Sequence, residues 1–308
     1  MALDYVKTKD RQYLRVDRIG SGPKIAILVH GIGGSSHLWI PFALSCSKEY
    51  TYIIPNLRGF GKSKDVDFLC TTDVLFDFAR DIDSVIEHYR GDNQVVVCAL
   101  SMGAYSMMRY FEMYGTEAVE RYMNIDQSAK AINSADWQWG IGGDKHDALF
   151  EEFKRNLTEF DAEIEKPFPA LDPDLRDCYL SSLSEFFRIA FHRPIEKLVA
   201  QHMLQIPFVE CVARRAVSAD NWESYLFCLD SYQSRDYDFR ETMRSLDIPV
   251  TLFIGAKSEM YPADGQRDML RNPLFDSVEF SEGHALMYTA PVQFQREMNR
   301  FLMENAYA

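Results

Sequence analysis

Short apolar runs alternate with longer amphipathic segments over most of the chain, apart from one long middle stretch. Ile25 to Val29 and Val95 to Val97 are continuous apolar runs, as in strands buried on both faces of a parallel sheet. Residues 12–19 alternate apolar and polar positions, which is typical of a half-exposed edge strand. Further strands are predicted at 52–54, 119–126, 248–255 and 277–280.

Apolar positions at helical spacing separate these strands. A helix capped by Thr72 or Asp73 carries an apolar stripe from Leu75 to Ile86, and a second helix is predicted over 104–114. A closing amphipathic helix begins at Pro291. Strands that alternate with helices predict a doubly wound, mostly parallel sheet.

The alternation stops near Gln127 and resumes near residue 245. The residues between have helical periodicity and no convincing strand. We therefore predict a core domain formed by 1–128 and 245–308, which carries a helical cap formed by 129–244.

The composition indicates which binding partners and which cellular compartment suit this protein. The 308 residues are 47% hydrophobic, and the net charge of −13 argues against nucleic acid or an anionic membrane as a partner. No signal peptide and no membrane-spanning run of about 18 apolar residues is evident. Six scattered cysteines without a CxxC pair suit a reducing compartment. We expect a cytoplasmic protein that acts on a small molecule; the pattern leaves the oligomeric state open.

Ser101 lies between the valine-rich strand and the next helix, with the small residues Ala99 and Gly103 on either side. An abrupt strand-to-helix turn lifts a serine hydroxyl above the sheet and points the start of a helix at it. This stretch resembles the nucleophile elbow of the α/β-hydrolase fold superfamily, with Ala99 where glycine is commoner. The resemblance implies an α/β-hydrolase sheet with Ser101 as the nucleophile.

A glycine-rich loop follows the first buried strand, His30-Gly31-Ile32-Gly33-Gly34. It resembles the oxyanion loop of the same superfamily, and the resemblance assigns the oxyanion-hole amides to Ile32 and Met102. The segment that begins at Asn56 resembles the D-x-R-G-x-G-x-S segment of these proteins, with asparagine in place of the aspartate.

A serine nucleophile needs a histidine base and an acid that orients it, in the chain order Ser, acid, His. His284 follows the last predicted strand in a Gly-His loop and is the predicted base. The usual acid position after the penultimate strand is occupied by Ser258, with Glu259 one residue later. Asp126 ends the preceding strand, the second acid position known in this superfamily. We favour Asp126 as the acid and keep Glu259 as the alternative.

The resemblance implies a serine hydrolase that cleaves a carboxylic ester, with no cofactor. No histidine or cysteine pair has zinc-ligand spacing, so no metal is expected. No cluster of Arg or Lys marks a site for phosphate or a free carboxylate, which favours a neutral, fairly hydrophobic ester. Three alternatives share the motifs: a hydroxynitrile-lyase-like enzyme, for which Lys257 is the candidate lysine, a cofactor-free perhydrolase, and a non-enzymatic ligand receptor.

Overall fold

The computed structural model describes residues 1–46, 48–160, 163–164, 166–202 and 221–303. An eight-stranded sheet forms its centre. Its strands are β1 (Ala2–Lys7), β2 (Tyr13–Ile19), β3 (Lys24–Val29), β4 (Tyr50–Pro55), β5 (Val95–Leu100), β6 (Val119–Ile125), β7 (Val250–Gly255) and β8 (Phe275–Phe280). The order across the sheet is β1-β2-β4-β3-β5-β6-β7-β8. The pairs β1–β2 and β2–β4 are antiparallel and all other pairs are parallel, which confirms the predicted mostly parallel sheet.

The helices in chain order are α1 (Ile40–Ser45), α2 (Val74–Arg90), α3 (Met102–Tyr114), α4 (His146–Phe160), α5 (Pro173–Arg188), α6 (Pro194–His202), α7 (Trp222–Ser234), α8 (Arg240–Ser245), α9 (Ala263–Arg267), α10 (Leu286–Thr289) and α11 (Pro291–Met303). Short 3-10 turns lie at Ser36–Leu38, Gly61–Ser63, Gly143–Lys145, Phe168–Ala170 and Asp268–Arg271. Thr72 and Asp73 are the two predicted caps of α2. Asp73 caps the helix, because its carboxylate accepts the Phe76 N–H at 3.2 Å.

Strand β5 shows why the sheet is buried on both faces. Successive side chains of a strand point to opposite faces, so an uninterrupted apolar run supplies both. Val95, Val97 and Ala99 pack into the cluster formed with α2 and α3. Val96 and Cys98 pack into the opposite cluster, formed with α1 and α11. The carboxyl end of β5 is thereby held rigidly at the centre of the sheet, where Ser101 follows.

The prediction of an edge strand at residues 12–19 is wrong. β2 lies inside the sheet because β1, which the apolar pattern did not reveal, pairs with it and forms the edge. In β1 the apolar side chains Leu3 and Tyr5 are exposed, and Val6 is buried. Polarity therefore does not separate the two faces of this strand, and the usual alternation signal is lost.

The described residues between β6 and β7 form helices α4 to α8 and no named strand. Their apolar side chains join the same cluster as α2 and α3, for example through Trp222 and Tyr225 of α7. The division into core and cap at 128 and 245 remains a prediction, and residues 203–220 of the predicted cap lie outside the described residues. Over the part of the chain described, no helix has both the length and the apolar character to cross a membrane.

A buried ion cluster holds the loop that follows β4. The Arg58 guanidinium donates to both carboxylate oxygens of Asp81, at 2.6 and 2.7 Å, and to Asp10 at 3.3 Å. Asp77 lies 3.7 Å away. Burial raises the pKa of Asp81 to about 6 and also raises the pKa of Asp77, while Arg58 favours the charged form of both. The charge of Arg58 therefore offsets the cost of removing several carboxylates from water.

We expect Arg58→Met to lower the free energy of unfolding by about 3–5 kcal/mol, because buried carboxylates would lose their counter-ion. Urea denaturation followed by circular dichroism measures this loss. Arg18→Met is the matched control, since Arg18 forms an ion pair with Asp4 at the surface and should cost less than about 1 kcal/mol. Equal losses in the two variants would contradict a structural role for the Arg58 cluster.

Candidate active site

Ser101 sits at the turn between β5 and α3 in a strained backbone conformation. Its φ of 54° and ψ of −123° lie in a region that residues with a side chain rarely adopt. The carbonyl oxygen of Ser101 accepts the N–H groups of Ala104 and Tyr105, so the helix begins immediately after the turn. Its side chain therefore stands at the carboxyl edge of the sheet, directly before a helix N-terminus.

Gly103 is required by close packing between α3 and β3. A methyl group at this position would lie 2.6 Å from the His30 carbonyl oxygen and 2.9 Å from Cγ1 of Val29. Ala99 is fully buried, and its backbone φ is not among the positive values of the described chain. A small side chain therefore suffices at position 99, which explains how alanine replaces the commoner glycine.

The loop after β3 is held by the buried side chain of His30. Its Nε2 accepts the Leu57 N–H at 3.0 Å, so its Nδ1 donates to the Gly31 carbonyl at 2.8 Å. The Gly34 N–H donates to the same carbonyl at 3.1 Å. In a trans peptide the N–H and C=O point in opposite directions, so the Ile32 N–H is directed away from His30. Burial lowers the pKa of His30 to about 4, although its hydrogen bond to Gly31 acts to raise this pKa. His30 is neutral at neutral pH and supports the loop.

This loop lies against Ser101. A Cβ atom on Gly31 would be only 3.1 Å from Cβ of Ser101 and 3.7 Å from its Oγ. Met102 is the first residue of α3, and the first N–H groups of a helix lack intrahelical acceptors. The amides of Ile32 and Met102 thus belong to the two segments that border Ser101.

Asp126 follows β6 and is fully buried with a φ of 47°. Its Oδ1 accepts the Gly255 N–H at 2.7 Å and the Gln266 side-chain amide at 2.8 Å. Its Oδ2 accepts the Ser258 hydroxyl and the Nδ1–H of His284, each at 2.7 Å. Four donors therefore fix the carboxylate, and one of them belongs to the predicted base.

Glu259, the alternative acid, is engaged elsewhere. Its carboxylate pairs with Lys197 and, at 3.3 Å, with Lys145. Partial burial raises the pKa of Glu259, but the two lysines lower it more, so the pKa lies below its usual range. The structure thus brings Asp126 to His284 and leaves Glu259 at a partly exposed lysine pair.

Ser101 and His284 line one cavity of about 360 Å³. Its walls are mostly apolar, and α5 together with the residues after it contributes Phe186, Phe187 and Phe191. The oxyanion loop residues Gly31 to Gly34 border the same space. Lys257 is exposed and does not line the cavity.

Comparisons with known proteins agree with this architecture. Residues 26–161 match the family model described as alpha/beta hydrolase fold. A pimeloyl-[acyl-carrier protein] methyl ester esterase from Legionella pneumophila (strain Lens) is 23% identical over 269 residues, which cover 87% of this chain and 90% of that protein. An esterase from Exiguobacterium antarcticum superposes with a TM-score of 0.72 at 20% identity, covering 97% of this chain and 99% of its own. A bromoperoxidase from Bacillus anthracis gives a TM-score of 0.74 at 19% identity, covering 98% and 100%.

This chain has the α/β-hydrolase fold. The fold explains why Ser101, Asp126 and His284 lie at one edge of the sheet, since each follows a strand of the parallel sheet at its carboxyl end.

Sequence reasoning missed the residues that anchor Asp126 in this α/β-hydrolase fold. A Cβ atom on Gly255 would lie 2.8 Å from Oδ1 of Asp126, so only glycine allows the carboxylate to approach. Ser258 occupies the usual acid position and donates to Asp126 instead. Gln266 lies on α9, and nothing local marks it. One feature of the sequence could have indicated this arrangement: position 258 holds a serine, whose hydroxyl can donate a hydrogen bond to a carboxylate at position 126.

The histidine loop also contacts the segment between β6 and β7. The Ala285 N–H donates to the Ala190 carbonyl at 3.0 Å, and a Cβ atom on Gly283 would lie 3.0 Å from that oxygen. Arg193 forms an ion pair with Glu282 at 2.7 Å. These contacts tie the loop that carries His284 to the segment that follows α5.

Proposed function

We propose that this protein is a serine hydrolase that cleaves carboxylic esters of small, neutral, fairly hydrophobic molecules through an acyl-enzyme. The observation that carries the proposal is that His284, which lines one cavity with Ser101, is held by the buried Asp126 carboxylate, which accepts three further hydrogen bonds.

In the proposed reaction, Oγ of Ser101 attacks the ester carbonyl carbon while His284 takes the hydroxyl proton at Nε2. Asp126 stabilises the resulting imidazolium through Nδ1, and the Ile32 and Met102 amides bind the charged oxygen of the tetrahedral intermediate. His284 then protonates the leaving alcohol, and the C–O bond to the alcohol breaks. Water, activated by His284, hydrolyses the acyl-enzyme and restores Ser101.

The cavity supports the substrate class. Ser101 and His284 carry its reactive polar groups, and the other named walls are glycine, aliphatic or aromatic. Such a surface favours apolar groups around one reacting carbonyl. The position of Lys257 outside this cavity removes the argument for a hydroxynitrile lyase.

We expect the purified protein to hydrolyse p-nitrophenyl acetate and to react once with a fluorophosphonate probe. Peptide mass spectrometry should locate the probe on Ser101, because Ser101 is the serine that lines the active-site cavity together with His284. Heat-denatured protein, in which the triad is dispersed, is the control and should not be labelled. Ligand binding without labelling or turnover would favour a receptor, and peroxide-dependent bromination in acetate buffer would favour a perhydrolase; either result without ester hydrolysis would contradict the proposal.

A further inference from the structure

A second, smaller cavity lies beside the active-site cavity, among the helices between β6 and β7. Its volume is about 30 Å³, space for about two water molecules. Its walls come mainly from α4, α5 and α7 and include Phe153, Leu183 and Leu226. Such apolar surroundings offer water few hydrogen bonds and suit hydrocarbon groups. We call this space the side cavity.

Ile32 and Phe186 line both cavities. These two side chains therefore form the partition between the active-site cavity and the side cavity. Phe187, the next residue on α5, lines the active-site cavity alone, and Leu183 lines the side cavity alone. Neighbouring positions of one helix thus contact different parts of the available space.

The partition lies next to the expected position of the ester carbonyl, where the acyl chain of a substrate begins. In the proposed reaction the Ile32 amide binds the carbonyl oxygen, so the carbonyl carbon lies next to the Ile32 residue. An acyl chain that continues from this carbon toward the side cavity meets the ring of Phe186. The chain can extend further only if this ring is removed or displaced.

We propose that Phe186 determines the acyl-chain length of the substrate by closing the side cavity, which is an extension of the acyl site. The inference rests on the proposed ester hydrolysis and makes it more specific. Wild type then accepts only acyl chains that fit within the active-site cavity. Removal of the Phe186 ring joins the two cavities and admits longer chains.

The size of the effect follows from the hydrophobic burial of the added groups. One buried methylene group strengthens binding about fourfold, so the two that fit the side cavity give about tenfold to twentyfold. This gain applies to chains long enough to reach the side cavity, whereas acetate does not reach it. The ratio of kcat/KM for hexanoate to kcat/KM for acetate therefore isolates the effect.

The test compares wild type, Phe186→Ala and Phe227→Ala on p-nitrophenyl acetate, butyrate, hexanoate and octanoate. We expect Phe186→Ala to raise the hexanoate-to-acetate ratio at least about tenfold. Phe227, on α7, packs against Phe68 and lines neither cavity, so Phe227→Ala removes the same ring without opening the partition and should change the ratio less than about threefold. Thermal denaturation of each variant shows whether it is folded, and Phe186→Leu, which removes less volume, should shift the ratio in the same direction by a smaller factor.

A reversal variant identifies the space that the longer chain occupies. Leu183→Phe, added to Phe186→Ala, places a ring in the side cavity from a position about one turn before Phe186 on α5 and should return the ratio toward the wild-type value. An unchanged ratio in both Phe186 variants, an equal rise in Phe227→Ala, or no reversal by Leu183→Phe would overturn the assignment of Phe186. If wild type hydrolyses all these esters and the ratio does not move, only this inference fails. If wild type hydrolyses none of them and resists the fluorophosphonate, the proposed function fails with it.

Discussion

Replacing Ser101 by alanine is expected to lower kcat for p-nitrophenyl acetate by about 10⁶-fold, to the level left by the other site groups. The reason is that alanine has no oxygen to form the acyl-enzyme, so the reaction must proceed by direct attack of water. The backbone conformation of residue 101 is strained in both proteins, so the loss should not come from unfolding. Initial rates and fluorophosphonate labelling measure the effect.

Ser106→Ala is the matched control for Ser101→Ala. Ser106 lies five residues further along the chain, on α3, is also buried, and its hydroxyl donates a hydrogen bond to the Met102 carbonyl at 2.8 Å. Loss of this bond should cost about 1 kcal/mol of stability and leave labelling intact. Turnover that persists in Ser101→Ala, or labelling that is lost equally in Ser106→Ala, would refute Ser101 as the nucleophile.

Asp126→Asn is expected to lower kcat by about 10⁴-fold with little change in KM. The four groups around the carboxylate are all donors, so an amide nitrogen at this position must face at least one of them. If it faces His284, Nδ1 becomes the acceptor and the proton moves to Nε2, where it prevents the ring from accepting the Ser101 proton. Steady-state kinetics on one ester, over a range of pH, measure the loss.

Glu259→Gln separates the two candidate acids. Because Glu259 pairs with lysines at a partly exposed position, its charge contributes little to the site, and we expect a change in kcat below about twofold. A large loss confined to Glu259→Gln would show that Asp126 is not the acid. Small, equal losses in the two variants would mean that no single carboxylate orients His284.

The fold class and the serine turn could be predicted because their signals are local. A continuous apolar run such as Val95 to Val97 can be stable only where both faces are covered, and small residues around Ser101 allow the turn and the close packing of α3. His284 could be chosen as a candidate because it follows the last strand. Strand β1 was missed because the large apolar residues Leu3 and Tyr5 lie on its exposed face, while Val6 lies on its buried face.

Sequence patterns favoured Asp126 as the acid but did not exclude Glu259. Asp126 and His284 are 158 residues apart, and Ser258 and Gln266 come from a further segment of the chain. Only the packed sheet edge brings these four side chains within hydrogen-bonding distance, while the same packing leaves Glu259 with Lys145 and Lys197.

By itself, the sequence indicated most of the strands and helices, with the exception of β1, and the residues that are candidates for the chemistry, because burial and backbone preference act over a few neighbouring residues. The tertiary structure decided which carboxylate meets His284, which way the Ile32 amide points and which ring divides the two cavities. These depend on distances between segments that are remote in the chain, and such distances are set only when the whole core is packed.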